Sequence, residues 1–202
     1  MTNHTCDTPP PRAPIIVVSG LPRSGTSMLM QMLEAGGVAV LSDAVRPPDA
    51  SNPRGYYELE RVKRLRAEGD KSWLRAAQGK ALKIISFLLP HLPDVHSYHV
   101  IFMLRPLPEI VASQNRMLED LAQGRGNVNE AGLLESYDVH LASVRSFLAS
   151  RAWFATLEVH YRDIVAHPAA EAIRIARFLG RDLDIARMAS AVDPRLYRHR
   201  LD

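Results

Sequence analysis

Apolar blocks alternate with amphipathic blocks along the chain. Residues 14–19 and 100–104 are continuous runs rich in β-branched and other apolar side chains, which predicts strands buried on both faces. Shorter blocks predict strands at 80–85 and near 154–160. Amphipathic or apolar blocks of helical length predict helices at about 26–35, 108–122, 130–150 and 167–179.

Strands that alternate with helices predict an α/β fold, with a central parallel sheet of about four to five strands flanked by helices. The polar segment 58–68 predicts a further helix, and the segment 41–56, rich in Pro, Asp, Asn and Ser, predicts a loop. No internal repeat or second-domain boundary is found. We therefore expect one domain over 14–202, after a disordered, proline-rich leader at 1–13. On the last helix, the periodicity predicts one buried face made by Ala169, Ala172, Ile173 and Ala176.

Composition indicates a soluble domain with enough chain to bury a full core, since 47% of its 202 residues are hydrophobic and 23% are charged. No apolar run reaches the length needed to span a bilayer, and the N-terminus lacks the apolar stretch of a signal peptide. The single cysteine, Cys6, excludes an intrachain disulfide framework and a thiolate metal site. These features predict a reducing, cytoplasmic location.

The basic residues argue against a nucleic-acid partner. The formal net charge is +3, and all but four of the 25 basic residues are arginines. Base composition of the genome is the simpler cause of this bias, although arginine forks also suit phosphate and sulfate groups. No dense basic run with interleaved aromatic residues is present, so we expect no nucleic-acid binding.

A glycine-containing turn between the first strand and the first helix is the sharpest chemical signal. The segment Ser19-Gly-Leu-Pro-Arg-Ser-Gly-Thr-Ser27 combines two glycines, an arginine and several hydroxyls at a helix N-terminus. Backbone N–H groups in such a turn converge on an anion, and the helix end adds positive partial charge. The turn therefore predicts a phosphate-type site.

This turn differs from the loop of nucleotide triphosphatases. Gly20 and Gly25 have the required spacing, but Thr26 stands where that motif has its lysine. The apolar strand at 100–104 is followed by Arg105, where such enzymes place a metal-holding aspartate. We therefore expect no metal at the site.

Three segments resemble the sulfotransferases that use 3′-phosphoadenosine-5′-phosphosulfate (PAPS). The turn is similar to their 5′-phosphosulfate loop, P-[KR]-S-G-[TS]-[TS]. The strand ending in Arg105, with Ser113 eight residues later, looks like their 3′-phosphate motif, and an arginine fork and a hydroxyl at that spacing can clamp one phosphate. The segment 160–168 with Phe178-Leu-Gly180 is similar to their later Y-E-D-L and F-L-G segments.

The resemblance implies a three-layer P-loop-NTPase-like fold that binds PAPS and its product, adenosine 3′,5′-bisphosphate (PAP). It also implies in-line transfer of a sulfonate group to an acceptor hydroxyl or amine, with a nucleotide co-substrate as partner. The nucleotide-binding residues that it implies are Pro22, Arg23, Ser24, Gly25, Thr26, Ser27, Arg105, Ser113, Tyr161 and Arg198. Arg198 lies in the basic segment 197–200, for which a solvated tail is an equally good interpretation.

The catalytic assignments follow from the same resemblance and leave the general base open. Arg23 would stabilise charge on the leaving oxygen electrostatically, because an arginine does not give up its proton. Family members that act on phenols carry a histidine near the segment 80–86, and none stands in that place here. The candidate bases are Glu58, which resembles the glutamate of an N-P-x-G-Y-[FWY]-E pattern in bacterial members, then Asp43, and His91. Lys83 would contact the bridging oxygen or the acceptor.

Two other functions remain open on the sequence: a non-catalytic PAP-binding protein and, with less support, a metal-dependent small-molecule kinase on the same scaffold. Magnesium dependence separates the kinase from the sulfotransferase. Neither the acceptor nor the oligomeric state follows from the sequence.

Overall fold

A computed structural model of the protein describes residues 13–43, 45, 47, 55–120 and 130–196. Its core is one sheet of four strands, β1 (Ile15–Gly20), β2 (Ala81–Lys83), β3 (Tyr98–Leu104) and β4 (Phe154–His160). The spatial order is β2-β1-β3-β4, and every neighbouring pair is parallel. The predicted α/β fold with a parallel sheet is confirmed.

Helices cover both faces of the sheet, which gives three layers. They are α1 (Thr26–Ala35), α2 (Leu107–Asp120), α3 (Glu130–Ala149), α4 (Tyr161–Ala166), α5 (Pro168–Leu179) and α6 (Ile185–Ser190). Short 3₁₀ helices connect these elements at Glu60–Arg64, Ser72–Ala77, Ser86–His91 and Pro194–Leu196. Within the described ranges, no helix has both the length and the apolarity needed to cross a membrane.

The first strand shows why the sheet is buried on both sides. Ile15 and Val17 join the apolar cluster under α2 and α3, whereas Ile16 and Val18 join the cluster under α1, α5 and α6. A strand between two helical layers needs apolar side chains at successive positions, which explains its continuous apolar run. Because the strands are parallel, the carboxyl ends of β1, β3 and β4 meet at one edge, and the turn after β1, Arg105 and Tyr161 lie there.

The segment 58–68 differs from the predicted α-helix. Only Glu60–Arg64 is helical, and it is a 3₁₀ helix. The apolar residues Leu59, Val62 and Leu65 recur every third position and pack against the core. That spacing fits the three residues per turn of a 3₁₀ helix better than the 3.6 of an α-helix.

On α5 the buried face is rotated from the predicted one. Ile175 and Leu179 are buried with Ala172 and Ala176, whereas Ile173 is 41% exposed. The predicted leader at 1–13 lies outside the described residues except for Ala13, and the break predicted at 123–127 lies outside them entirely.

A partly buried contact joins α3 to the 3₁₀ helix after β2. Ser86 Oγ lies 2.9 Å from Nε2 of His140, and the Phe87 ring stacks on the imidazole with centroids 3.8 Å apart. Burial lowers the pKa of His140, because the imidazolium form loses hydration. The pKa of His99 on β3 is lowered by burial first and by the charge of Arg181 second.

Acidification from about pH 7.5 to about pH 5.5 is therefore expected to lower the melting temperature. In the unfolded chain these histidines bind protons at higher pH than in the folded chain, so stability rises with pH across this window. Carboxyls with lowered pKa values, such as Asp43 and Glu68, do not interfere, since their ordinary pKa values are 3.8 and 4.5. Scanning calorimetry on wild type and on His140→Gln tests this: the drop should shrink in the variant, and an undiminished drop would contradict the assignment to His140.

Candidate functional site

The turn between β1 and α1 contains two residues with positive φ. Arg23 has φ 69° and Gly25 has φ 107°, with Ser24 between them, and the Ser24 N–H donates to the Leu21 carbonyl at 3.1 Å. Left-handed residues alternating in this way let successive N–H groups converge on one anion. Pro22 lies half-buried in the same turn.

The hydroxyl groups of this turn differ in their hydrogen-bond partners. Ser24 is fully buried, and its Oγ has no hydrogen-bond partner in the part of the chain that the structure describes. Thr26 is buried, whereas Ser27 Oγ accepts from Lys83 Nζ at 3.2 Å and donates to the Tyr56 carbonyl at 3.4 Å. An unpaired buried hydroxyl costs about 1–3 kcal/mol, so the Ser24 hydroxyl is suited to a phosphate oxygen at this position.

Arg105, directly after β3, contacts the turn, α2 and Tyr161. Its Nη1 donates to the Arg23 carbonyl at 3.2 Å, its Nε donates to Glu109 at 3.0 Å, and its guanidinium lies 4.6 Å from the centroid of the Tyr161 ring. Its side chain is only 7% exposed. Arg105 therefore links the end of β3, the turn and the start of α4.

Tyr161 also supports the turn directly. A Cβ atom added to Gly25 would lie 2.4 Å from Cδ2 and 2.7 Å from Cε2 of the Tyr161 ring, so the glycine backbone packs against that edge of the ring. The ring thus contacts both the phosphate-type turn (residues 19–27) and the guanidinium group of Arg105.

The side chain of Arg23 bridges the two motifs that the sequence singled out. Its Nε donates to Ser113 Oγ at 3.1 Å, and its Nη1 lies 3.9 Å from the sulfur of Met117. Ser113 is buried and lies one helical turn after Glu109 on α2. The turn, Arg105 and Ser113 thus lie in contact with one another through Arg23.

A second group of candidate residues lies at the start of α1. Lys83 Nζ donates to the Tyr56 carbonyl at 2.7 Å and lies 3.9 Å from the Glu58 carboxylate. Glu58 is 23% exposed and also lies 3.6 Å from Lys63 Nζ. Because Lys83 also contacts Ser27, the structure brings Glu58 to the side of the phosphate-type turn opposite Ser113.

The other two candidate bases are placed differently. Both carboxylate oxygens of Asp43 accept backbone N–H groups, one from Glu60 at 2.6 Å and one from Val45 at 3.1 Å. These hydrogen bonds, the one from Glu60 first, hold the pKa of Asp43 below its ordinary value. His91 is half-buried at the end of the 3₁₀ helix Ser86–His91. Arg198, implied for the nucleotide, lies outside the described residues.

Two charged residues at this edge were not singled out in the sequence, Glu109 and Arg162. Glu109 is fully buried on α2, and its two oxygens bind Arg105 and Arg162. The four-residue spacing of Arg105 and Glu109 on a strand-to-helix junction was the available signal, whereas nothing local marks Arg162. Among the described residues, no group of three or more His, Cys, Asp or Glu side chains is arranged to hold a metal ion.

Solved structures match this fold over nearly the whole chain. The sulfotransferase domain of the Synechococcus PCC 7002 olefin synthase is 20% identical, with a TM-score of 0.51, and the match covers 95% of this chain and 86% of that domain. The sulfotransferase domain from the curacin biosynthetic pathway is 13% identical, with a TM-score of 0.53, over 95% and 93% of the two chains. No protein-family model and no curated protein matches.

A mouse sulfotransferase, SULT7A1, solved in complex with PAP, is 16% identical with a TM-score of 0.51. The match covers 92% of this chain and 63% of the mouse chain, so the present chain spans less than two thirds of that protein. The chain therefore has the three-layer, P-loop-like fold of sulfotransferase domains. The resemblance predicted from the sequence motifs is confirmed at the level of the fold.

Proposed function

We propose that the protein transfers a sulfonate group from PAPS to an acceptor hydroxyl or amine without a metal ion, and that it does so in the cytoplasm. One observation carries the proposal: Arg105 and Arg23 join the phosphate-type turn to Ser113 in a single basic site. Two phosphate-binding motifs on adjacent strands match a ligand with phosphate groups at both ends of its ribose.

The residues present fit the nucleotide. The turn offers backbone N–H groups and the unpaired Ser24 hydroxyl for the 5′-phosphosulfate. Arg105 and Ser113 offer a guanidinium and a hydroxyl for the 3′-phosphate, and the Tyr161 ring lies against Arg105 beside the turn. That a mouse protein of this fold was solved with PAP supports the same choice of ligand.

The residues around the turn suit in-line transfer. When bound, PAPS supplies the sulfonate group, whose bond to the 5′-phosphate oxygen breaks as the bond to the acceptor forms. Arg23 and Lys83 place positive charge near opposite sides of the turn, where they stabilise negative charge on the leaving oxygen and the sulfonate. Glu58 takes the acceptor proton, since its carboxylate lies near Lys83, which contacts Ser27 at the start of α1.

Calorimetric titration with PAP in a buffer that contains EDTA tests the nucleotide site. We expect micromolar binding by the wild type and a loss of about tenfold, about 1.4 kcal/mol, in Ser113→Ala, because one hydroxyl partner of the phosphate is removed. Ser113 is a milder probe than Arg105: its replacement releases the Arg23 Nε–H, whereas replacement of Arg105 would release both the buried Glu109 and the Arg23 carbonyl.

A ligand control and a variant control complete this test. Binding of 5′-AMP, which has no 3′-phosphate, should change less than about twofold in Ser113→Ala. Arg174→Ala, which removes an exposed arginine that pairs with Glu171 on α5, should leave both affinities unchanged. Absence of PAP binding by the wild type, or binding only of ATP with magnesium, would overturn the proposal and favour the kinase.

A further inference from the structure

Glu109 is a fully buried carboxylate held between two arginines from different elements. Its Oε2 accepts from Arg105 Nε at 3.0 Å, and its Oε1 accepts from Arg162 Nε at 3.0 Å and from Arg162 Nη2 as well. Glu109 is 0% exposed, the Arg105 side chain is 7% exposed, and that of Arg162 is 50% exposed. The two guanidinium groups therefore lie side by side across one carboxylate.

Two arginines share one carboxylate in this cluster. The three side chains Arg105, Arg162 and Glu109 sum to a formal charge of +1. A buried ion pair is costly to assemble and is weak evidence of stabilisation by itself. The half-exposed Arg162 is thus a second cation on a carboxylate that Arg105 already binds.

The register of the sheet fixes where this charge lies. Leu104 on β3 pairs with His160 on β4, so the residues that follow each strand, Arg105 and Tyr161, leave the sheet at the same level. Arg162 comes next on α4, and Ser113 lies one helical turn beyond Glu109 on α2. Arg105, Arg162 and Ser113 thus flank the same buried carboxylate and the same stretch of α2.

We propose that Arg162 is a second arginine of the nucleotide 3′-phosphate site, held beside Arg105 by Glu109, and that it selects nucleotides carrying that phosphate. This inference rests on the proposed function. A phosphate monoester carries close to two negative charges at neutral pH, which matches two arginines better than one. Glu109 acts as a positioning residue, because it binds both guanidinium groups.

The competing explanation is that Arg162 only neutralises a buried carboxylate. The two explanations differ in which ligand is affected: a 3′-phosphate contact acts on PAP but not on 5′-AMP, whereas a loosened β3–α2 junction affects both. We therefore compare the Kd values for PAP and for 5′-AMP, the latter measured by competition with PAP, in wild type and Arg162→Gln.

Loss of a charge-assisted hydrogen bond predicts that Arg162→Gln raises the Kd for PAP about tenfold while that for 5′-AMP changes less than about twofold. Arg145→Gln is the matched control, since Arg145 is 49% exposed and its Nε and Nη2 also bind one carboxylate, that of Glu158. It should leave both Kd values unchanged.

Equal losses for the two nucleotides, or no loss for PAP, would overturn the role of Arg162 while leaving the proposed function intact. A wild type that binds no PAP would overturn the proposed function itself and this inference with it. If Arg162→Gln does not fold, Arg162→Lys provides the test, because it keeps the charge on Glu109 but lacks the planar fork. Arg162→Lys should raise the Kd for PAP about threefold or more and leave the Kd for 5′-AMP unchanged. An equal rise in both Kd values would overturn the inference.

Discussion

Gly25→Ala is expected to raise the Kd for PAP at least about 100-fold. The new Cβ would lie 2.4 Å from Cδ2 and 2.7 Å from Cε2 of the Tyr161 ring, well inside contact distance. To relieve this overlap, either the ring must move away from Arg105 or the turn must move away from the ring. The first movement breaks the contact between Tyr161 and Arg105, and the second displaces the backbone N–H groups of the turn, so either one disturbs the proposed nucleotide site.

The same substitution also strains the backbone. Gly25 has φ 107°, a conformation that costs an L-residue about 1–2 kcal/mol. Overpacking against Tyr161 adds about 1–3 kcal/mol, so the melting temperature should fall as well. Strain alone would weaken the fold without acting on the nucleotide specifically.

Gly37→Ala separates these two causes. Gly37 has φ 96°, close to that of Gly25, but an added Cβ meets no atom within 4 Å. We expect Gly37→Ala to lower the melting temperature and to keep the Kd for PAP within about twofold of the wild type. Calorimetric titration with PAP, at a temperature where both variants are folded, gives the two Kd values that distinguish strain from the Tyr161 contact. A loss of PAP affinity in Gly37→Ala equal to that in Gly25→Ala would show that strain, and not the Tyr161 contact, is responsible.

The parts of the fold that were predictable have local causes. The strand Ile15–Gly20 is a β-branched run between a proline and a glycine turn, and α1 ends where Gly36 and Gly37 follow. Both boundaries depend on residues within the segment itself. The phosphate-type turn was predictable for the same reason, because its glycines and hydroxyls are consecutive.

The errors arose where two local patterns were equally good. On α5, the positions 169, 172, 173 and 176 and the positions 172, 175, 176 and 179 both have helical spacing. Only packing against the sheet selects the second set and leaves Ile173 exposed. The 3₁₀ helix at Glu60–Arg64 was missed because polar residues surround its three-residue apolar repeat.

The Glu109 cluster depends on contacts that are distant in sequence. Arg162 and Glu109 are 53 residues apart in the chain. They meet only because β4 pairs with β3 in one particular register. The bridge from Arg23 to Ser113 spans 90 residues, although the family resemblance already placed both at the nucleotide. Sequence motifs could therefore single out Arg23, Arg105 and Ser113, but neither Arg162 nor Glu109, the carboxylate that binds both Arg105 and Arg162.

The contacts of Asp43 and Glu58 now distinguish two candidates that the sequence left open. Both carboxylate oxygens of Asp43 accept hydrogen bonds from backbone N–H groups, and these bonds link two loop segments. The Glu58 carboxylate instead lies between the ammonium groups of Lys63 and Lys83. A base needs a lone pair directed to the acceptor, so hydrogen bonds that tie both oxygens of Asp43 to the backbone disfavour that residue. Lys83 connects Glu58 to the phosphate-type turn through Ser27.

Glu58→Gln is expected to lower kcat at least about 100-fold, within the range for loss of a general base, while the Kd for PAP stays within about twofold. The amide keeps the shape of the side chain but cannot accept the acceptor proton. We would measure single-turnover transfer of radiolabelled sulfonate from PAPS to the best acceptor in a panel of phenols, alcohols, sugars and amines. A wild type that binds PAP but transfers to none of the panel would favour a non-catalytic PAP-binding protein.

The matched control is the same acid-to-amide substitution at the other candidate carboxylate, Asp43→Asn. Asp43→Asn replaces one acceptor oxygen by an N–H₂ group that faces a backbone N–H, so it should lower the melting temperature and leave kcat near the wild-type value. His91→Gln should change neither quantity substantially. Wild-type kcat in Glu58→Gln, together with a loss of about 100-fold in Asp43→Asn or His91→Gln, would move the base to that residue. A loss confined to Glu58→Gln would assign the proton transfer to the carboxylate that Lys83 holds beside the phosphate-type turn.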